Sequence, residues 1–280
     1  MSNKFFYPDG KSMADEKEFI EYYNNSYFID CGEKIQYETD KGKKRSVGKN
    51  SCYVEKLVEH ILKKGFENFI DSDIALILAW KIGKIVHSRS QKKLVLHNDW
   101  QKVLGEYSSE TMTFKNYNGE SIKRYGDKNP VTIDIKRITE YLHEYGKHLN
   151  ELVGNDQRQK ALDELKEQHW SGIGPVYLIT LLYFVSNSRY PGACPIYDRF
   201  AMRALLAIRD NKKIGESVEC GELPDKNSRL FSENTDGRMN NYIGLLEYIF
   251  GNEYKYNRDI DRALWVYGHL FKDSAKGKVI

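Results

Sequence analysis

The sequence predicts an all-α protein, and three observations carry that expectation. Apolar residues recur at steps of three and four through most of the chain, most regularly at Ile135, Ile138, Leu142, Tyr145, Leu149 and Leu152. Capping residues and turn clusters bracket these periodic stretches. Neither a repeat of fixed period nor a low-complexity tract interrupts them. A chain of 280 residues, 40% hydrophobic and 30% charged, belongs with folded soluble proteins and outside the disordered, collagenous and membrane classes. At about 100–200 residues per domain it holds one large or two modest domains. We expect an N-terminal segment with a basic loop over 1–70 and a helical core over 71–280.

Taken in order, the first element is a short capped helix over 12–23. Residues 30–50 contain Gly32, Gly42 and Gly48 without helical spacing and read as a loop or small hairpin. Helical spacing resumes over 51–64 and 73–88, the second placing Leu76, Trp80 and Gly83 on a broad buried face. The helix over 132–152 has the seam of an element packed on one neighbour. Residues 155–169, opened by Asn155 or Asp156 as cap, turn Ala161, Leu162 and Leu165 inward. After the turn Ser171-Gly172-Ile173-Gly174-Pro175, a helix apolar on every side begins at Pro175, whose missing N–H costs nothing in a first helical turn. Turn residues over 187–193 lead to a helix over 195–209 with Phe200, Ala204, Leu205 and Ile208 inward. A polar surface loop over 210–238 precedes two closing helices, 239–251 and 258–272, the latter burying Ile260, Leu264, Tyr267 and Phe271.

Charge and cysteine usage narrow the function. With 43 Lys plus Arg against 40 Asp plus Glu, a net charge of +3 permits a nucleic-acid partner without demanding one. The excess is local. Between positions 41 and 65 Lys41, Lys43, Lys44, Arg45, Lys49, Lys56, Lys63 and Lys64 face only Glu55 and Glu59, a local +6 that reads as a phosphate-backbone contact or as a solvated loop and helix face. Cys31, Cys52, Cys194 and Cys220 contain no close pair, which excludes zinc-ribbon and iron–sulfur spacings and fits reduced thiols in a cytoplasm. His87, His97, His143, His148, His169 and His269 show no metal-ligand spacing. No apolar run of membrane-spanning length and no signal-like N-terminus occurs, so we expect a cytoplasmic, nucleoid-associated protein. The 20 Tyr, 12 Phe and 4 Trp supply flat amphipathic side chains for core and surface alike.

The chemistry concentrates between 155 and 209. In a helix-hairpin-helix, glycines let a backbone approach a phosphate without Cβ interference, and the next helix begins there with unpaired N–H groups and a positive dipole end. Gly172, Ile173 and Gly174 could therefore hold one DNA phosphate through main-chain donors; the alternative is a plain tight turn. Asp198, at the start of the following helix, is either an N-cap or a carboxylate facing the same groove.

W-S-G-I-G-P-V-Y-L-I-T-L-L-Y-F followed by P-I-Y-D-R-F-A-M-R-A-L resembles the helix-hairpin-helix DNA glycosylase superfamily, in which a G-(I/V)-G hairpin precedes an Asp in a P-(I/V)-x-D context. The likeness covers residues 155–209, with the hairpin over 155–186 and the Asp helix over 195–209. It implies a two-lobed helical fold with a cleft between lobes, Asp198 as catalytic carboxylate, and Gly172, Ile173 and Gly174 as phosphate clamp. The Gly174 to Asp198 interval is somewhat long, with 187–193 absorbing the excess. Where strand-cutting members carry a Lys nucleophile, this chain has Val176, so hydrolysis without lyase chemistry is expected. The lack of a four-cysteine cluster points to cluster-free branches, the 8-oxoguanine glycosylase-like group among them.

The implied partner is double-stranded DNA carrying a damaged or modified base, whether in repair or against modified phage DNA, bound by a monomer away from membranes. The base leaves the stack and enters a pocket for which Trp170, Tyr177, Tyr183 and Tyr197 are candidates. Lys43, Lys44 and Arg45 are candidate backbone contacts. No cofactor is expected, apart from a monovalent cation that the hairpin could hold. The competing expectation is a DNA-binding protein that keeps the hairpin without catalysis.

Overall fold

The computed structural model describes residues 4–29, 34–38, 42–48, 51–81, 83, 85–88, 93–96, 106–108, 113–115, 122–123, 132–187, 194–218, 235–251 and 257–273. These residues are mostly helical, as the periodicity predicts, with the addition of short two-stranded ladders. Cys31, Lys41, Lys49, His97, Cys220, most of the 187–193 turn and the 219–234 part of the expected surface loop lie outside the described residues. Two compact units divide the chain, one formed by Met1–Lys49 with Pro195–Ile280 and the other by Asn50–Cys194. The boundaries therefore differ from the expected division at 70, because the N-terminal segment packs on the C-terminal helices rather than standing apart.

The Asn50–Cys194 unit begins with α1 in its own order, Cys52–Lys64, capped by Ser51. It continues through α2 (Asp71–Lys81), three short antiparallel ladders among the described residues, α3 (Ile135–Gly154), α4 (Arg158–Glu167) and α5 (Pro175–Asn187). α2 is buried at every position from Ser72 to Trp80, and α5 packs on α2, α3 and α4. An all-round apolar helix belongs in an interior, and these two form it. The Trp80 ring meets Phe184 edge-on at 5.8 Å, and its indole N–H donates to the buried Glu55 carboxylate at 3.2 Å.

Several expectations are corrected here. The helix predicted over 73–88 stops at Lys81: Gly83 has φ +67 and donates its N–H to Trp80 O, and β1 (Ile85–Ser88) then pairs antiparallel with β2 (Lys93–Leu96). Glycine in a left-handed conformation ends a helix, and Ile85-Val86 prefers an extended chain. Two further antiparallel ladders, β3 (Glu106–Ser108) with β4 (Thr113–Lys115) and β5 (Ile122–Lys123) with β6 (Thr132–Ile133), follow; the last takes the first residues of the helix expected over 132–152, which begins at Ile135 behind its Asp134 cap. In α3 the predicted seam holds except at Tyr145, which is 41% exposed. Gly146 takes the inward position instead, because a Cβ there would come within 2.5 Å of the Phe66 ring. Asn155 and Asp156 do not cap α4: Asn155 closes α3, Asp156 sits at φ +60, and α4 starts at Arg158, which Asp156 pairs at 2.7 Å.

The other unit contains α6 (Glu16–Ser26), a hairpin of β7 (Gln36–Glu38) and β8 (Lys44–Ser46), α7 (Arg199–Arg209), β9 (Ser217–Val218), α8 (Thr235–Phe250), α9 (Arg258–Gly268) and β10 (Lys272–Asp273). α6 begins at Glu16, later than expected, because Asp15 is the residue that caps it, accepting from Glu18 N–H at 2.9 Å. The 30–50 stretch resolves to a hairpin, Tyr37 opposite Arg45. α8 starts at Thr235 rather than 239, and α9 ends at Gly268 rather than 272, freeing Lys272 and Asp273 to pair in parallel with Ser217 and Val218. The core joins α9 to α6 and α7: Phe19, Tyr23, Tyr27, Tyr242 and Tyr267 are almost wholly buried, so four of the 20 Tyr are interior residues of this unit. Tyr23 keeps its hydroxyl satisfied by donating to Phe6 O at 2.7 Å. α9 lies backbone to backbone on α7, since a Cβ on Gly268 would fall on the Phe200 carbonyl.

Candidate functional site

The predicted phosphate clamp and the predicted carboxylate belong to different units and are described separately. In the Asn50–Cys194 unit, Gly172 has φ +74, a conformation that L side chains rarely adopt, and so makes the turn between α4 and α5. Ile173 N–H donates to Trp170 O at 3.2 Å and is thereby occupied in the turn. Gly174 O accepts from Tyr177 and Leu178 N–H at 2.9 and 3.2 Å, beginning α5. Among the described hydrogen bonds, the N–H groups of Gly172 and Gly174 have no acceptor. A Cβ at Gly174 would meet nothing within 4 Å, so the backbone there is open. Two free N–H groups beside a helix N-terminus can receive an anion.

Three of the four pocket candidates are interior residues of that unit: Trp170, Tyr177 and Tyr183 are each no more than 8% exposed. Trp170 stands edge-on to Tyr141 at 5.2 Å with its indole N–H unpartnered, and Tyr183 is edge-on to Phe184 at 5.4 Å. Tyr197, in the other unit, is buried against Tyr242 at 5.1 Å.

Asp198 is the N-cap of α7. Its backbone is extended (φ −131°, ψ 141°), Oδ1 accepts from Phe200 N–H at 2.8 Å, and the side chain stays partly exposed. Around it the unit assembles groups that sequence spacing did not single out. The Phe200 ring lies on the His269 imidazole, 3.5 Å between centroids at 18°. Trp265 packs against the same imidazole at 4.1 Å, and Tyr37 from the hairpin meets it edge-on at 5.4 Å. Arg199 places its guanidinium carbon 4.6 Å above the Phe200 ring and Arg203 places its own at 5.4 Å. Burial pushes the His269 imidazole down to about 4; its bond to Trp265 O and the nearby Asp198 charge oppose this, while Arg203 and Arg199 reinforce it. The only signals in the sequence were the i, i+4 spacing of Trp265 and His269 and the adjacency of Asp198, Arg199 and Phe200.

Lys43, Lys44 and Arg45 are exposed at the β7–β8 hairpin. Because residues directly opposite in an antiparallel ladder share a face, Arg45 stands on the side of the hairpin from which Tyr37 reaches His269. Of the other cations in the expected +6 cluster, Lys56, Lys63 and Lys64 belong to the Asn50–Cys194 unit, and Lys64 is tied to Asp73 at 2.6 Å.

Among the described residues, no group of three or more His, Cys, Asp and Glu could hold a metal, and no helix is long and apolar enough to cross a membrane. Cys194 is fully enclosed, and burial pushes its thiol up to about 12. No family model matches the chain, and neither a curated protein nor a solved structure matches it.

Proposed function

We propose that the chain is a monofunctional DNA glycosylase that extrudes a damaged or modified base, 8-oxoguanine being the first candidate, and hydrolyses its N-glycosidic bond. The observation that carries the reading is the setting of Asp198: a partly exposed carboxylate fixed at a helix start by Phe200 N–H, beside the exposed Arg199 and a stacked aromatic group. The N–H groups of Gly172 and Gly174, without an acceptor among the described hydrogen bonds, and the open backbone at Gly174 add a place for a phosphate. In this reaction the bond from the sugar C1′ to the base nitrogen breaks, its electron pair leaving with the base. Asp198 stabilises the positive charge that grows on the sugar; water then bonds to C1′ and gives up a proton to the carboxylate, leaving an abasic site. Lys44, Arg45 and Arg199 supply sequence-independent attraction to the backbone.

A DNA-binding protein without catalysis is the second reading, favoured by the fact that Asp198 Oδ1 already makes an ordinary capping bond. Duplexes carrying 8-oxoguanine, alkylated, mismatched or hypermodified bases, incubated with the full chain and then treated with alkali to cut abasic sites, separate the two. Strand breaks that depend on alkali and on Asp198 support the glycosylase. Salt-sensitive binding with no abasic sites across the panel supports the second reading.

A further inference from the structure

We propose that His269 is a positioning residue for the reaction at Asp198, its Nε2 accepting a hydrogen bond from the water that attacks there. This rests on the glycosylase reading. His269 Nδ1 lies 2.7 Å from Trp265 O. A carbonyl can only accept, so Nδ1 carries the hydrogen, and in the neutral ring Nε2 is left as a lone-pair acceptor. That nitrogen has no partner among the described residues.

The ring cannot reorient freely: Phe200 covers one face, Trp265 packs against it from its own helix, and Tyr37 abuts its edge. The charged and titratable groups facing it are Asp198, Arg199 and Arg203 from the α7 side and Tyr37 from β7. Two guanidiniums and burial against one carboxylate keep the imidazole neutral. An imidazole whose conjugate acid is that strong takes a proton no better than a carboxylate does, so His269 orients the water and the proton goes to Asp198. Fixing a reactant is itself worth a large factor, since misplacement by about 1 Å can cost about 100-fold.

The test uses the full chain and three substitutions. His269→Gln places an amide oxygen near the position of Nε2; His269→Asn keeps only a group near Nδ1; His269→Phe keeps the stack and loses both nitrogens. Single-turnover excision and DNA affinity are measured on whichever panel substrate the wild type cleaves. The expected result is a loss of about 100-fold in the single-turnover rate of His269→Asn and His269→Phe with DNA affinity unchanged, and recovery of most of the rate in His269→Gln. Full activity in His269→Phe overturns the proposal, as does an equal loss in all three variants or a loss carried by DNA affinity. Nitrogen-15 NMR at neutral pH supplies a readout independent of turnover: an unprotonated Nε2 supports the acceptor role, and a protonated one overturns it. A wild-type chain that releases no base overturns the glycosylase reading itself, whereas base release with a fully active His269→Phe removes only the role of His269.

Discussion

The imidazole of His269 lies nearly parallel to the Phe200 ring, 3.5 Å away, while the N–H of the same Phe200 holds the Asp198 carboxylate at 2.8 Å. One residue thus fixes two polar groups, one through its ring and one through its backbone. The Phe200 carbonyl also marks the closest approach of α9 to α7, where only glycine fits at 268. Asp198 and His269 are therefore held by the packing of two helices, and their chemistry should respond to changes that touch only that packing.

Asp198 combines a structural and a proposed catalytic task, and substitutions can separate them. Asn caps helices about as well as Asp, so Asp198→Asn should leave the thermal midpoint nearly unchanged; Asp198→Ala should lose about 1 kcal/mol. Excision should fall at least about 100-fold in both, because both lose the charge that stabilises the sugar cation. Urea melts and alkali-revealed cleavage measure the two effects. Asp198→Asn with full excision activity would leave the carboxylate with capping alone.

The hairpin glycines should behave differently from each other. Gly172 occupies φ +74, so Gly172→Ala should cost about 1 kcal/mol of stability by strain alone. Gly174 is outside the left-handed region and its Cβ would meet open space, and residues before proline prefer an extended backbone that Ala adopts easily. Gly174→Ala should then fold normally yet weaken duplex binding, because the new methyl stands where a phosphate would approach. Fluorescence anisotropy against a duplex, at several salt concentrations, tests this. Unchanged affinity in Gly174→Ala would leave G-I-G as a turn only.

Much of this was legible in the sequence, for stated reasons. The interior helices α2 and α5 and the stripe of α3 follow from periodicity, since burial on one side or all sides leaves a readable pattern. The ladders between 85 and 133 were not readable, because strands of two to four residues carry too few alternations to register a period. Tyr145 and Gly146 show the complementary failure: apolar spacing put Tyr145 inside, but the position facing Phe66 has room only for a hydrogen. At the site, Asp198 was readable from its local context, whereas His269 came from 71 positions along the chain, through a stack that only tertiary packing brings together.

Packing at 268 gives a third test. Gly268→Ala would drive a methyl into the Phe200 backbone, where no flexible side-chain end can move aside. Overpacking of this kind costs about 1–3 kcal/mol and should lower the melting temperature by several degrees. Gly154, also in a helix but with open space at its Cβ, is the control: Gly154→Ala should be neutral or slightly stabilising. Equal melting temperatures for Gly268→Ala and wild type would mean that α7 and α9 are not in close backbone contact.

The acid side of the stability profile should carry the signature of His269. Its folded-state value, about 4, is depressed below the ordinary 6.5, chiefly by burial. Above pH 6.5 the imidazole is neutral in both folded and unfolded chains and contributes its full stabilisation. As pH falls from 6.5 towards 4 the unfolded chain binds a proton that the folded chain refuses, so stability declines, by on the order of 3 kcal/mol over the window, and flattens below it. His269→Phe, which keeps the stack on Phe200 and cannot titrate, should remove that part of the slope while leaving the contribution of the carboxylates. Urea unfolding of both proteins at half-unit steps between pH 4 and 7 isolates the difference. Parallel profiles for the two would show that His269 titrates alike in the folded and unfolded states, and the depression by burial would go with it.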